Sequence, residues 1–521
     1  MSETAAVKVE HQRFFVVDFG SQYAQLIARR VRELGCYAEI VMPHDLERRL
    51  PEATGVILSG SPWSAYDEQA PTIPAGIYEQ GTPILGICYG MQYTTHVLGG
   101  AVEKADAREY GPARIEVIGD GTALFDGLEN ELDVWMSHGD RVEALPDGFV
   151  AIAKTDSAPF AAAKHQDRPI YGVQFHPEVT HTPQGTAMLK NFLFGVCGAT
   201  GDWTMRSFIE ESCEKIAAMV GENEQVICGL SGGVDSTVAA ILIHKAIGDR
   251  LTCIFVDNGL LRKGEAEQVQ DTFRNKYAIP LIFAPEGERF LGSLAGVSDP
   301  EVKRKRIGHD FVEVFKHHAK SVENAAWLAQ GTLYPDVVES QSAFGGKSHT
   351  IKTHHNVGGL PEELGFKLLE PFRDLFKDEV REVGRELGVP DAFVERQPFP
   401  GPGLGVRIAG EVTPEGVALL QEADAIIREE IERDGDHKGL WQYFGVLVPV
   451  HTVGVMGDER TYEKVIAIRA VESTDAMTAD WAYLPREVLG RISNRIINEV
   501  RGVNRVVYDI STKPPATIEW E

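Results

Sequence analysis

Two small clusters in the chain carry residue types that could do nucleophilic chemistry together. Cys88 sits in LGICYGMQ (85–92), after an apolar run and before a helix-like segment, with Gly86 and Gly90 on either side. This is the spacing of a nucleophile on a sharp strand-to-helix turn, where small residues let the backbone bend and a substrate approach. A helix N-terminus there adds N–H groups and a positive dipole end, which favour thiolate and oxyanion. An inert buried thiol is the bland alternative for any free cysteine. His176 and Glu178 lie in YGVQFHPE (171–178) and share a face if that segment is extended. A histidine steered by a carboxylate is the base of a generalised triad. Alone, HPE reads as a solvated strand end; with Cys88 it is far more specific.

A further cluster suits phosphate. LSGGVDST (230–237) follows an apolar strand and precedes a helix-like stretch. Gly232 and Gly233 let the backbone wrap an anion, and Val234 opens the helix whose N-terminus faces it. Ser231, Ser236 and Thr237 add hydroxyls, and Asp235 is a natural Mg²⁺ neighbour. The loop lacks the lysine of G-x-x-x-x-G-K-[ST], so it suits a departing pyrophosphate better than γ-transfer. Asp257, in FVDNGLLRKGE (255–265), ends the next strand, where it either holds the nucleotide or metal or merely caps the strand. IKTHHNVGGLP (351–361) offers Lys352, His354 and His355 beside two glycines, which reads better as a cationic lid than as a metal pair. EVKRKRIGHDF (301–311) is a basic run, either a solvated helix face or a phosphate site. The tail DISTKPPATIEWE (509–521) carries a rigid KPP, an aromatic and acids, and could dock into a ligand site through Lys513 and Glu519.

These clusters need elements to hold them. RFFVVDFG, AEIVMP, GVILSG and PILGICYG read as buried strands separated by helices such as QYAQLIARRVRELG, a βαβ pattern that implies a largely parallel sheet. After residue 110, ARIEVIG, ELDVWMSHGD and IYGVQFHPE suggest an antiparallel addition. A second βαβ series starts near 205 with EQVICGL, RLTCIFVD and IPLIFAPE. RQPFPGPGLG (396–405) then breaks the chain, and the remainder reads as α+β. The expected fold is α/β, with two parallel-sheet α/β domains at 1–204 and 205–398 and a smaller α+β domain at 399–521.

The 521 residues suggest about three or four domains. Hydrophobic residues at 43% and charged residues at 25% exclude disorder as the dominant state. A net charge of −26 disfavours a chain that coats nucleic acid, while leaving room for small anionic ligands. No apolar run is long enough to span a membrane, and the N-terminus lacks an apolar signal core. The six cysteines form no CxxC pair, which fits reduced thiols in a cytoplasm better than a disulfide framework.

LSGSPWS, LGICYGMQ, MSHGD and YGVQFHPE together resemble the class I glutamine amidotransferases. That resemblance implies that Cys88 attacks the glutamine amide, His176 relays the proton to ammonia, and Glu178 orients His176. It implies an oxyanion hole from the Gly60 and Tyr89 N–H groups, and substrate contacts from Gln92, Ser137 and His138. The family usually has a second glycine where Ser61 stands. SGGVDS resembles the loop of N-type ATP pyrophosphatases, which several synthetase families share. The tail, with PFPGPGLGVR, HTVGVMGDER and NRVVYDI, is similar to the glutamine-hydrolysing GMP synthetases over essentially the whole chain. By that resemblance the substrates are glutamine, ATP and XMP, with Mg²⁺ accompanying ATP and no organic cofactor. Arg304, Gln442, Lys513 and Glu519 would contact XMP, the third domain would form a homodimer, and neither nucleic acid nor membrane is a partner. Two other synthetases fit less well: NAD synthetases use a nitrilase-like amidase, and asparagine synthetases an N-terminal cysteine. A binding protein that had lost catalysis should show damage to these motifs, and none is damaged.

Overall fold

The computed structural model describes residues 11–21, 23–119, 123–155, 158–341, 365–456, 459–473 and 478–521. Lys352, His354 and His355 lie outside them. Residues 11–208 and 335–341 belong to one compact unit, and residues 209–334 and 365–521 to a second.

The first unit is built on a nine-stranded sheet: β1 (Arg13–Val17), β2 (Tyr37–Val41), β3 (Ala53–Leu58), β4 (Ile84–Ile87), β5 (Ala101–Val117), β6 (Glu131–Ala144), β7 (Phe149–Lys154), β8 (Ala162–His165) and β9 (Ile170–Val173). Its order is β2-β1-β3-β4-β9-β8-β7-β5-β6. The strands from β2 to β9 run parallel and the others antiparallel. In β1 the run Phe14–Val17 is wholly buried, as expected of a strand covered on both faces. Each such side chain contributes about 1.5–3 kcal/mol on leaving water. The antiparallel part begins earlier than the sequence suggested, because β5 starts at Ala101 rather than after 110. Charges interrupt KADAREYGP, so it gives no apolar signal of its own.

The second unit has two sheets. Strands β10 (Gln225–Leu230), β11 (Leu251–Asp257), β12 (Leu281–Pro285), β13 (Ala325–Ala329) and β14 (Lys367–Leu369) form a parallel sheet in the order β12-β11-β10-β13-β14. Successive crossovers change direction at β10, so the segment after β10 leaves the carboxyl edge at the topological switch point, where open α/β sheets bind ligands. The other sheet joins β15 (Gln442–Met456), β16 (Glu459–Glu472) and β17 (Asp480–Trp481) antiparallel, with β18 (Val503–Tyr508) parallel to β16. One apolar cluster runs through both parts, from Ile227 and Phe315 to Leu420, Ile466 and Ile492. All six cysteines are free. Among the described residues no helix is long and apolar enough to cross a membrane.

Candidate active site

Cys88 occupies the turn between β4 and the helix Tyr89–Val97, with φ 52° and ψ −106°. A non-glycine residue at positive φ is strained and persists only where its surroundings hold it. Gly86 and Gly90 are what allow the turn. A Cβ on Gly86 would lie 2.6 Å from the Gly90 carbonyl carbon, and one on Gly90 would run into the Leu58 carbonyl. The Cys88 N–H donates to the Val173 carbonyl at 2.8 Å, tying the elbow to β9. Its thiol lies 3.7 Å from the Ser137 carbonyl on β6.

The segment after β9 brings in the base. His176 Nδ1 and Glu178 Oε1 are 2.7 Å apart, and both side chains are buried. The histidine is clamped: its N–H donates to the Trp135 carbonyl at 3.0 Å and its carbonyl accepts from Thr182 Oγ1 at 2.6 Å. The Tyr23 ring lies 5.0 Å away. Burial works against an imidazolium here. Hydrogen bonds to the Cys88 thiol and the Glu178 carboxylate, with the Glu178 charge, outweigh it and push the His176 pKa up to about 11.

The remaining residues singled out in this unit gather round the same elbow. A Cβ on Gly60 would lie 3.5 Å from His176 Cε1. Tyr89 opens the helix, whose first N–H groups have no intrahelical acceptor. Gln92, one turn on, donates from Nε2 to the Asp140 carbonyl at 2.8 Å, and His138 Nδ1 meets the same carbonyl at 2.9 Å. Sequence reasoning missed Gln174. Its Nε2 lies 3.8 Å from the Cys88 thiol, and its Oε1 accepts from Gln92 at 3.2 Å. The signal was available, since Gln174 stands two residues before His176 on an extended run.

In the second unit the loop after β10 leads into the helix Val234–Ile247. Gly232 adopts φ 70°, a left-handed conformation that suits glycine. Ser231 and Ser236 place their hydroxyls 3.0 Å apart, and the Gly233 N–H donates to Ser231 Oγ at 3.2 Å. Thr237 is wholly buried. Asp235 accepts from Lys377 Nζ at 2.5 Å through one oxygen, while its buried Oδ1 has no partner among the described residues. Asp257 Oδ1 accepts from the Gly259 N–H at 2.9 Å, so it caps the turn beyond β11. Among the described residues no three His, Cys, Asp or Glu side chains gather as a metal cluster. A carboxylate with one orphaned oxygen beside a phosphate-type loop nevertheless fits a single contact to a phosphate-bound Mg²⁺.

The tail meets cations of the same unit. Glu519 takes a bidentate contact from Arg407, Nε to Oε2 at 3.0 Å and Nη2 to Oε1 at 2.8 Å. Gln442 Nε2 adds 3.2 Å to Oε1. Arg304 donates to the Glu521 carbonyl, and the buried Lys303 pairs with the Glu521 carboxylate. Lys513 is tied through its backbone, exchanging hydrogen bonds with Ala479 at 3.1 and 2.7 Å. The structure thus joins Gln442 to Glu519 and brings Arg304 to the tail's last residue. Arg407 was missed, because its burial, and with it the need for an acid partner, shows only in the fold.

Known proteins are similar to this chain along most of its length. Residues 15–196 match the class-I glutamine amidotransferase family, 206–271 the NAD synthase family, and 429–520 the GMP synthase C-terminal domain. The NAD synthase match is confined to the region of the phosphate-type loop. A protein of Thermomicrobium roseum named glutamine-hydrolysing GMP synthase is 58% identical over 97% of this chain and 96% of its own. Proteins of the same name are 57% identical in Phenylobacterium zucineum, over 100% of both chains, and in Geobacillus kaustophilus, over 98% of this chain and 100% of the other. The chain belongs to the glutamine-hydrolysing GMP synthase family.

Proposed function

We propose that this chain converts XMP + ATP + glutamine + water into GMP + AMP + pyrophosphate + glutamate. The observation that carries the reading is the Cys88–His176–Glu178 constellation on a strained elbow, in the same chain as a lysine-free phosphate loop at a sheet switch point. Cys88 attacks the glutamine side-chain carbonyl and forms a γ-glutamyl thioester. His176, held charged by its partners, gives its proton to the departing ammonia, and water then releases glutamate. Glu178 fixes the imidazole, and the Gly60 and Tyr89 N–H groups receive the oxyanion. Gln92, Ser137 and His138 hold the substrate, and Gln174 joins them.

In the second unit the loop 231–237 cradles the phosphates of ATP. The O2 oxygen of XMP attacks the α-phosphorus and expels pyrophosphate. Ammonia then displaces AMP from C2, a far better leaving group than hydroxide. Asp235 would hold Mg²⁺ through its orphaned oxygen; the ion supplies charge neutralisation at the phosphates. Asp257, at the sheet's carboxyl edge, contacts the nucleotide while it holds the turn to Gly259. Arg304, Gln442, Lys513 and Glu519 bind XMP, and by family resemblance Lys352, His354 and His355 close over ATP. We assign these tasks to domains 1–204, 205–398 and 399–521.

We also place the protein in the cytoplasm as a homodimer. Support for the dimer is the exposed apolar face that Val453, Val455 and Tyr462 form on β15 and β16. The test is loss of XMP absorbance with purified protein, Mg²⁺ and ATP, using glutamine and then ammonium chloride. Turnover with both nitrogen sources is expected; turnover with neither overturns the reading.

A further inference from the structure

The loop after β10 contains a peptide that could turn either way. Gly232 and Gly233 are adjacent, and two glycines offer little steric resistance to a peptide flip. In one orientation the Gly233 N–H faces the hydroxyls of Ser231 and Ser236; in the other a carbonyl oxygen would face them and repel a phosphate. The structure shows what decides. Arg396 Nη1 donates to the Gly232 carbonyl at 2.5 Å. The C=O and N–H of a trans peptide point to opposite sides. Gripping the carbonyl therefore keeps the Gly233 N–H on the hydroxyl side, where it now meets Ser231 Oγ at 3.2 Å.

Arg396 is itself anchored. Its Nη2 pairs with Glu265 Oε1, and the other Glu265 oxygen accepts from the Arg262 N–H at 3.1 Å. Glu265 is buried and the Arg396 side chain nearly so. The pair packs directly behind the loop, since a Cβ on Gly232 would lie 3.0 Å from both Arg396 Nη1 and Glu265 Oε1. A guanidinium fork can hold the carboxylate and the carbonyl at once in fixed geometry; a lysine ammonium cannot.

We propose that Arg396 is a positioning residue for ATP, fixing the Gly232–Gly233 peptide so that its N–H is presented to the pyrophosphate end of the nucleotide. The proposal rests on the reading of 231–237 as the ATP loop. It is tested on the full chain with ammonium chloride as nitrogen source. For Arg396→Lys, KM for ATP should rise about tenfold or more and inhibition by pyrophosphate should weaken in parallel. KM for XMP, glutamine hydrolysis and the melting temperature should hold. Glu265→Gln keeps the shape but loses the charged anchor, so the same selective change should be smaller; it carries the test if Arg396→Lys does not fold. An unmoved KM for ATP, or equal rises in both KM values with a lower melting temperature, overturns the proposal while an active wild type leaves the ATP loop standing. A wild type without ATP-dependent amination removes the loop reading, and this proposal with it.

Discussion

The elbow around Cys88 and the loop around Asp235 both follow a parallel strand and open a helix, yet they are finished to different degrees. At the elbow the chain supplies thiol, imidazole and carboxylate already in place. Cys88, His176 and Glu178 are buried and bonded to one another or to backbone. At the loop the chain supplies hydroxyl and N–H donors and a single carboxylate. The hydroxyls of Ser231 and Ser236 bond each other, and Asp235 is held by Lys377 through one oxygen; an orphaned carboxylate oxygen occurs at both places among the described residues, on Asp235 and on Glu178. Covalent catalysis needs its nucleophile and base set in advance, whereas phosphoryl chemistry leaves the ligand and its metal to complete the site. The first site has its side chains joined before a substrate arrives; the second is a receptor.

The sharpest break of this comparison is Cys88→Ala. Glutamine-dependent amination should fall by roughly 10⁴-fold or more while ammonium-dependent amination persists. Unchanged turnover with glutamine would remove the nucleophile assignment. Next is Asp235→Ala, expected to lower amination with either nitrogen source by about 10³-fold and to spare some glutamine hydrolysis; glutaminase assays beside GMP formation decide it. Smaller still, Gln174→Leu should cost about tenfold in kcat/KM for glutamine, with ammonium-dependent rates unmoved. Equal losses with both nitrogen sources would show that Gln174 serves only the fold.

The mildest effect is on stability. The His176 pKa is raised in the folded chain from 6.5 to about 11. The charged imidazole therefore stabilises the fold fully below about pH 6.5, and that contribution is lost as pH rises through about 11. The melting-temperature gap between the wild type and His176→Asn should be widest near neutrality and below, and should narrow in alkali. A gap that widens with pH would contradict a charged His176.

Much of this was legible in the sequence, for reasons that differ by region. Both parallel sheets announce themselves in runs such as FFVV and VICGL, because strands covered on both faces must be apolar throughout. Cys88, His176 and the 231–237 loop carry local marks: flanking glycines, a two-residue spacing and a strand–loop–helix setting. Arg396, Lys377 and Arg407 carry none of comparable strength. Each acts across more than 100 residues of chain, on Gly232, Asp235 and Glu519. Only the fold brings such pairs together, and one sequence without its contacts cannot name the partner. Asp257 shows the converse. Its place at a strand end suggested a ligand contact, and its carboxylate also has a turn to hold.

The apolar cluster shared by the two sheets of the second unit bears on how such a gene could be divided. Phe315 and Ile307, ahead of the PFPGPG run, pack in the same cluster as Leu420 and Ile492, beyond it. Ending the chain at that run would strip the half that carries the 231–237 loop of part of its interior and expose apolar side chains. Residues 11–208 keep an interior of their own, with Phe15, Val56 and Tyr89 in one cluster. Gene fission, subunit exchange and fusion to new ammonia consumers are therefore favoured near residue 208, and the two sheets beyond it are inherited together.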